Sequence, residues 1–241
     1  MGGGRMDPSF SSTARQAFFK SLPVMAGYII LGIGFGILLR EAGYGPLWAF
    51  AMGLLIYAGS MQYVGVGLIA GGASVITTLL TTLMVNARHL FYSISMISRY
   101  RDAGRYKPYL IFALTDETYS LLCDGHVPEG ADAHLYRFLV SLFDHSYWVT
   151  GCVLGSLLAG ALPFPTTGIE FSMTALFIAS FTEQWLSGGS HIPALAGLLC
   201  SLICLLAFGP ERFLIPAMLL ITAVLTLLRG RLSPGEEADA Q

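Results

Sequence analysis

The chain is short of charge. Only 12% of its 241 residues are Asp, Glu, Lys or Arg, against roughly 25% in ordinary soluble domains. The formal net charge of −2 says nothing about partners, and with no basic face to hold it no nucleic acid is expected. Cysteine is sparse too: Cys123, Cys152, Cys200 and Cys204 show no C-x-x-C or other metal-ligand spacing. Cys200 and Cys204 stand one helical turn apart and read as packing residues, so no metal is expected. No G-x-S-x-G or H-E-x-x-H occurs, and no intramembrane aspartates pair in a protease pattern. An enzyme is therefore not expected, and neither a catalytic residue nor a cofactor is assigned. The alternating segments of about ten residues that mark a membrane β-barrel are missing. The start is polar through Lys20, without a basic stretch leading straight into a short apolar core, so no signal peptide is expected.

What is abundant is apolar surface. Hydrophobic residues make up 54% of the chain and glycine contributes 28 positions, a composition suited to close helix packing in a bilayer. Several apolar runs approach or exceed the ~20 residues that span a membrane. The fold expected is an all-α polytopic integral membrane protein. Residues 1–20 read as a cytoplasmic N-terminal segment with an interfacial amphipathic helix over Ser12–Ser21. Residues 21–229 read as a single transmembrane domain, and 230–241 as a disordered tail. The apolar runs are 22–39, 45–70, 74–97, 109–123, 138–162, 169–186, 192–208 and 213–228.

Eight full spans would put the basic loop of Arg99, Arg101, Arg105 and Lys107 outside if the N-terminus is cytoplasmic, against the positive-inside rule. The conflict goes if 45–70 enters, turns at Gly59-Ser60 and returns to its own side, and if 169–186 also fails to cross. That gives about six full spans plus two broken or re-entrant segments, with eight full spans as the alternative. The two segments share a hydroxyl, then Gln two residues on, then an aromatic: Ser60, Gln62 and Tyr63 against Thr182, Gln184 and Trp185. On this basis units of about 22–97 and 138–208 form an inverted repeat, and re-entrant backbone implies a cavity.

The polar residues inside apolar runs are the candidate site, because polar groups are expensive at that depth. Gly59, Ser60 and Gln62 have the ingredients of a broken-helix site, where freed backbone groups and the Gln amide bind an ion or a zwitterion. The plainer alternative is hydrogen bonding to neighbouring helices. Asn86, Arg88 and His89 follow; Arg88 cannot deprotonate and needs a counter-ion or a wet cavity. Asp116 and Glu117, in the next run, reach a similar depth. They offer either a buried ion pair with Arg88 or one paired acid beside one proton carrier. His89 can titrate near neutrality or simply pack. Asp144-His145 and Glu183 are read as interfacial. Gly27, Gly32, Gly34 and Gly36 form a small-residue face for packing, and Thr77, Thr78, Thr81 and Thr82 a stripe that bonds to its own helix backbone.

FGILLREAG (35–43), YAGSMQY (57–63), NARHLFYS (86–93), TDETYSLL (115–122), WVTGCVLGSLLAG (148–160) and GIEFSMTALFIASF (168–181) together resemble the AzlC (YgaZ or BrnF-type) family. The resemblance runs over about residues 20–230. It implies the large subunit of a bacterial branched-chain amino acid exporter in the inner membrane, with both termini cytoplasmic and energised by the proton gradient. Valine, leucine, isoleucine or methionine are the implied cargo, and a small AzlD-type (YgaH or BrnE-like) membrane subunit the implied partner. Substrate contact then falls to Gly59, Ser60, Gln62 and Asn86, and by the internal repeat to Gln184. Proton coupling or a buried ion pair falls to Arg88, His89, Asp116 and Glu117. The absence of a Walker motif speaks against ATP coupling. The rival readings are a small-solute channel, and a receptor or scaffold that binds without transport.

Overall fold

In the computed structural model the described residues are 8–86, 88–161, 191–210 and 213–232, with isolated positions between 171 and 186. Among them every regular element is helical. The chain forms two compact units. One takes the chain up to Thr82 together with Arg88–Met173, and the other takes Leu83–Ala87 and the chain from Thr174.

The first unit is built on α1 (Pro8–Glu41) and α8 (Ala133–Ala161). At 1.5 Å per residue, α1 is about 51 Å long. It is one helix where a separate interfacial segment and a span were expected; Pro23 lies inside it without ending it. By length and composition Phe10–Glu41 is long and apolar enough to cross a membrane, while Pro46–Leu55, Ile192–Phe208 and Leu219–Leu228 are shorter apolar helices. Asp132 starts α8 by accepting the Leu135 N–H at 2.7 Å, as an N-cap carboxylate does.

The two helices run parallel. Phe18 meets Phe143 edge-on at 5.7 Å, Ser21 Oγ lies 3.1 Å from Tyr147 Oη, Gly32 abuts Gly151, Gly36 abuts Cys152, and Arg40 reaches Gly160. Gly32 and Gly36 on α1 face Gly151 and Gly155 on α8, so each helix carries a G-x-x-x-G. A Cβ on Gly32 would stand 2.9 Å from the Cys152 nitrogen, and one on Gly36 or Gly155 would overlap facing backbone outright. Small residues here let backbones touch and gain dispersion where no hydrophobic drive separates helix from lipid. Gly27 meets nothing within 4 Å, so the packing face is narrower than the glycine pattern indicates.

Between α1 and α8 the chain twice enters the unit and turns back. The first hairpin is α2 (Pro46–Leu55) and α3 (Gly59–Ala70). It starts beside Arg40 at Gly45, passes Val149 and Cys152 at Gly53, and breaks at Ile56–Ala58 beside Trp148. It then runs back along α1, where Tyr63 Oη donates to the Leu31 carbonyl at 2.6 Å and its ring lies 6.0 Å from Phe35. Thus 45–70 does return towards its starting end. The break falls at Tyr57 rather than Gly59-Ser60. Tyr57 takes φ +43°, a left-handed geometry strained for an aromatic residue. Gly59 is spent on close approach instead: a Cβ there would sit 3.1 Å from the Trp148 ring.

α4 (Val75–Asn86) and α5 (Arg88–Tyr100) follow. Thr78 and Thr82 bond back to the carbonyls of Ser74 and Thr78 at 3.0 and 2.7 Å, which leaves these threonines occupied by their own helix. Met96 and Tyr100 of α5 then join Ala17 and Tyr136 in one buried cluster. So α5 ends where α1 and α8 begin.

The second hairpin is a correction. The run 109–123 reads as one span, but it is α6 (Lys107–Phe112) and α7 (Asp116–Leu122), separated at Ala113–Thr115. Both outer ends lie with the starts of α1 and α8: Gly125 abuts the Arg99 guanidinium, Arg137 Nη1 donates to the Arg99 carbonyl at 3.3 Å, and Lys20 pairs with Asp124 at 3.2 Å. Two helices of 6 and 7 residues rise only about 9 and 11 Å, too little to cross. The expected second re-entrant segment, 169–186, lies largely outside the described residues.

In the second unit, α9 (Ile192–Phe208) packs against α10 (Leu214–Leu232), with Cys200 and Cys204 both buried as packing residues.

Candidate functional site

The two hairpins enter from opposite ends of the first unit, and their tips meet. Tyr57 at the first break lies 6.3 Å, ring to ring, from Phe112 at the second. Both lean on α8, where the His145 ring lies tilted 4.2 Å from that of Tyr57 and edge-on 5.7 Å from that of Phe112. Tyr28 of α1 closes the ring edge-on to Tyr57 and Trp148 at 6.3 and 5.5 Å.

Breaking α2 frees carbonyls that must find donors. The Tyr57 N–H reaches back to the Met52 carbonyl at 3.4 Å, which leaves the Gly53 carbonyl to His145 Nε2 at 3.2 Å. A carbonyl only accepts, so Nε2 carries the hydrogen. Tyr109 Oη lies 2.9 Å from the other ring nitrogen, Nδ1, and a neutral His145 accepts its hydrogen there. His145 thus caps a helix end from a neighbouring helix. The second break is closed more locally, with Thr115 Oγ1 capping α7 by accepting the Thr118 N–H at 3.3 Å.

From Thr115 a line of side chains crosses the unit. Tyr28 Oη lies 2.6 Å from Thr115 Oγ1 and donates to Glu117 Oε2 at 2.8 Å. Thr115 donates to Thr118 at 3.2 Å, and Thr118 donates to Asp144 Oδ2 at 2.8 Å. On the other side of Tyr28, Trp148 Nε1 donates to Gln62 Oε1 at 2.9 Å. Three polar atoms in this shell are buried without a partner: Asp144 Oδ1, Gln62 Nε2 and the Tyr57 hydroxyl. The Tyr57 hydroxyl stands beside Tyr28 and Thr118 but meets neither in hydrogen-bond geometry. A carboxylate oxygen, an amide N–H and a hydroxyl left unpaired in one buried shell are costly. They are also the set that a bound zwitterion satisfies, ammonium to the acceptor and carboxylate to the donors.

Of the residues singled out by sequence, the structure brings Gln62 and Glu117 into this shell, with Gly59 against Trp148 and Ser60 half-buried in the first turn of α3. Asp116 opens α7 beside Glu117. His89 is half-buried with its ring 5.1 Å from Tyr92, which stacks on Tyr119 at 5.4 Å; it packs in an aromatic column of α5 and α7. Asn86 ends α4 and belongs to the second unit. The Arg88 side chain and Gln184 lie outside the described parts.

Asp144 and His145 are the main correction. They read as interfacial, yet they are 0% and 5% exposed at the heart of α8. Tyr28, Tyr57, Tyr109, Thr115, Thr118 and Trp148 were missed as well. A signal existed for part of this: Asp144, Trp148, Cys152 and Ser156 recur at i+4, one face of a helix, and the same face carries the glycine contact with α1.

A family model described as AzlC protein matches residues 23–162. The chain is 43% identical over 222 residues to the branched-chain amino acid transport protein AzlC of Bacillus subtilis, covering 92% of this chain and 87% of that protein. It is 44% identical over 218 residues to an uncharacterised membrane protein of Haemophilus influenzae, covering 90% and 89%. To the inner membrane protein YgaZ of Escherichia coli it is 28% identical over 185 residues, covering 72% and 76%. No solved structure matches the chain.

Proposed function

The chain belongs to the AzlC family, and on that premise we propose that it is an inner-membrane secondary transporter exporting branched-chain and similar apolar amino acids. The observation that carries this reading is the meeting of two helix breaks, at Ile56–Ala58 and Ala113–Thr115, around buried unpaired polar atoms. Discontinuous helices from opposite sides that offer backbone and side-chain polarity near the middle of a membrane are a recurrent way to hold a small zwitterion. The surrounding shell of Phe35, Phe112, Tyr57 and Trp148 suits an apolar side chain. Valine, leucine, isoleucine and methionine differ by methylenes worth about 0.8 kcal/mol each, so discrimination among them is weak.

In this reading α1, the 75–100 stretch and α8 cross the membrane, and the two hairpins do not. The end bearing Arg15, Lys20, Arg99, Arg101, Arg105 and Lys107 faces the cytoplasm, as the positive-inside rule requires. Export is driven by the proton gradient, and a small AzlD-type membrane subunit completes the transporter. Broad exposure of large apolar side chains, Leu47, Val75 and Leu206 among them, suits contact with lipid or such a subunit.

The test is counterflow of labelled valine in proteoliposomes, with and without the small subunit. Saturable exchange that follows a proton gradient supports the proposal. Unsaturable flux indifferent to the gradient identifies a channel, and binding without flux a receptor.

A further inference from the structure

Between Asp144 and Glu117 run four oxygen–oxygen contacts in series, each of hydrogen-bond length. Asp144 Oδ2 to Thr118 is 2.8 Å and Thr118 to Thr115 is 3.2 Å. Thr115 to Tyr28 is 2.6 Å and Tyr28 to Glu117 Oε2 is 2.8 Å. Each contact needs one hydrogen, carried by one of its two oxygens. The three hydroxyls supply three, since Ser, Thr and Tyr each donate once and an ionised carboxylate only accepts. With both acids ionised, Thr118 donates to Asp144, Thr115 to Thr118 and Tyr28 to Glu117. The shortest contact, Tyr28 to Thr115, is then left with two lone pairs facing each other in a buried site.

From this count we infer that Asp144 and Glu117 share one proton, held on the wire that Thr118, Thr115 and Tyr28 make between them. With the proton on Glu117 Oε2, Glu117 donates to Tyr28, Tyr28 to Thr115, Thr115 to Thr118 and Thr118 to Asp144. All four contacts are satisfied. With it on Asp144 Oδ2, every donor reverses and all four are satisfied again. Passage between the two states breaks one O–H bond and forms one at each hydroxyl, so each passes on its own proton and receives another. One carboxyl loses a proton, the other gains it, and the total charge is unchanged. A proton on Asp144 Oδ1 would leave the count one short, so that oxygen remains an acceptor.

The two ends of the wire differ in what they face. Asp144 is 0% exposed, with Oδ1 unpartnered, and lies beside the Tyr57 hydroxyl and the break between α2 and α3. Glu117 is only half-buried on α7 beside Asp116. Among the described residues, the other titratable groups facing the wire include Tyr57 at the first break, Tyr147 of α8, and His145 of α8 with Tyr109 of α6, the last two bonded to each other. The wire therefore joins α8 to the second hairpin, by way of Tyr28 on α1. The proton count stands on geometry alone, and the transport reading enters only in giving the proton a use: delivery to the carboxyl beside the unpaired shell.

The experiment is infrared spectroscopy of the full chain in lipid at neutral pH, with aspartate or glutamate carboxyls labelled with carbon-13 in separate preparations. A protonated-carboxyl C=O band is expected, and it should disappear in both Asp144→Asn and Glu117→Gln, because either amide supplies the fourth hydrogen itself. In Thr118→Val the wire is cut, and the band should persist at a higher frequency, shifted by aspartate labelling alone. A spectrum without a protonated-carboxyl band, or a band that survives both amide substitutions, would overturn the inference. The isotope shift decides the matter in the unsubstituted protein if a variant fails to fold. Valine exchange is measured on the same samples: its absence beside an intact band sinks the transport reading and leaves the shared proton standing.

Discussion

The indole of Trp148 donates to Gln62 Oε1 across 2.9 Å, and that one bond decides which way the Gln62 amide points. An indole N–H can only donate, so the atom facing it must be the oxygen. Gln62 Nε2 is thereby turned away, buried and unpaired, and becomes the donor available to a bound carboxylate.

Substitutions at Gln62 separate holding from binding. Gln62→Leu leaves the Trp148 N–H buried without an acceptor and should destabilise the protein by about 1–3 kcal/mol, with loss of valine exchange. Gln62→Glu keeps an acceptor for Trp148 but puts a carboxyl where the amide donor stood, which repels a bound carboxylate. Its thermal stability in detergent should lie nearer the wild type, while exchange is still lost. Equal loss of stability in both variants would make Gln62 a structural residue only.

Tyr57→Phe keeps the ring contacts with Tyr28, Phe112 and His145 and deletes a hydroxyl that has no partner in hydrogen-bond geometry. Removal of an unsatisfied buried hydroxyl should raise stability by about 1 kcal/mol. The apparent affinity for valine should fall at the same time. A drop in melting temperature would show that the hydroxyl is bonded within the protein.

The packing of α1 on α8 predicts a sharp contrast among glycines. Gly36→Ala and Gly155→Ala place a methyl group inside the facing backbone and should abolish monodisperse protein in size-exclusion chromatography. Gly27→Ala and Gly65→Ala, which meet nothing within 4 Å, should leave yield unchanged and add up to about 1 kcal/mol of helix stability.

At the loop after α7, burial pushes the Asp124 carboxyl up, but the His126 N–H and the Lys20 ammonium more than offset it and hold it below the ordinary carboxylate range. A depressed folded-state value contributes stability above the unfolded pKa of about 3.9 and loses it as pH falls through the folded value. The Lys20 pair is half-exposed, so Asp124→Asn should cost about 0.2–1 kcal/mol at pH 7. That difference should shrink in high salt and vanish as pH falls through the depressed folded-state value. A penalty that persisted in acid would assign the role to something other than charge.

Much of the frame is legible along the chain, because it rests on local chemistry. The glycines at 32, 36, 151 and 155 announce close helix contact, the threonines at 78 and 82 bond to their own helix, and the polar break after Ile56 announces a turn inside an apolar run. Even there the sequence points to Gly59, where conformational freedom is greatest, whereas the strained position went to Tyr57. Gly59 was needed to admit the Trp148 ring.

What sequence alone determined is the composition of the helices and where their small and polar residues lie. Only tertiary structure decided which of those residues are deep. Hydropathy along 107–122 is the same whether the segment crosses or turns back at Ala113–Thr115. What separates the two is that its ends meet Arg99 and Lys20 at one end of the unit. Asp144 and His145 look like boundary residues until a hairpin from each side closes over them. The burial of a charge is a property of what surrounds it, and here the surroundings come from α1, α2, α6 and α7, distant in sequence from the α8 helix that carries both residues.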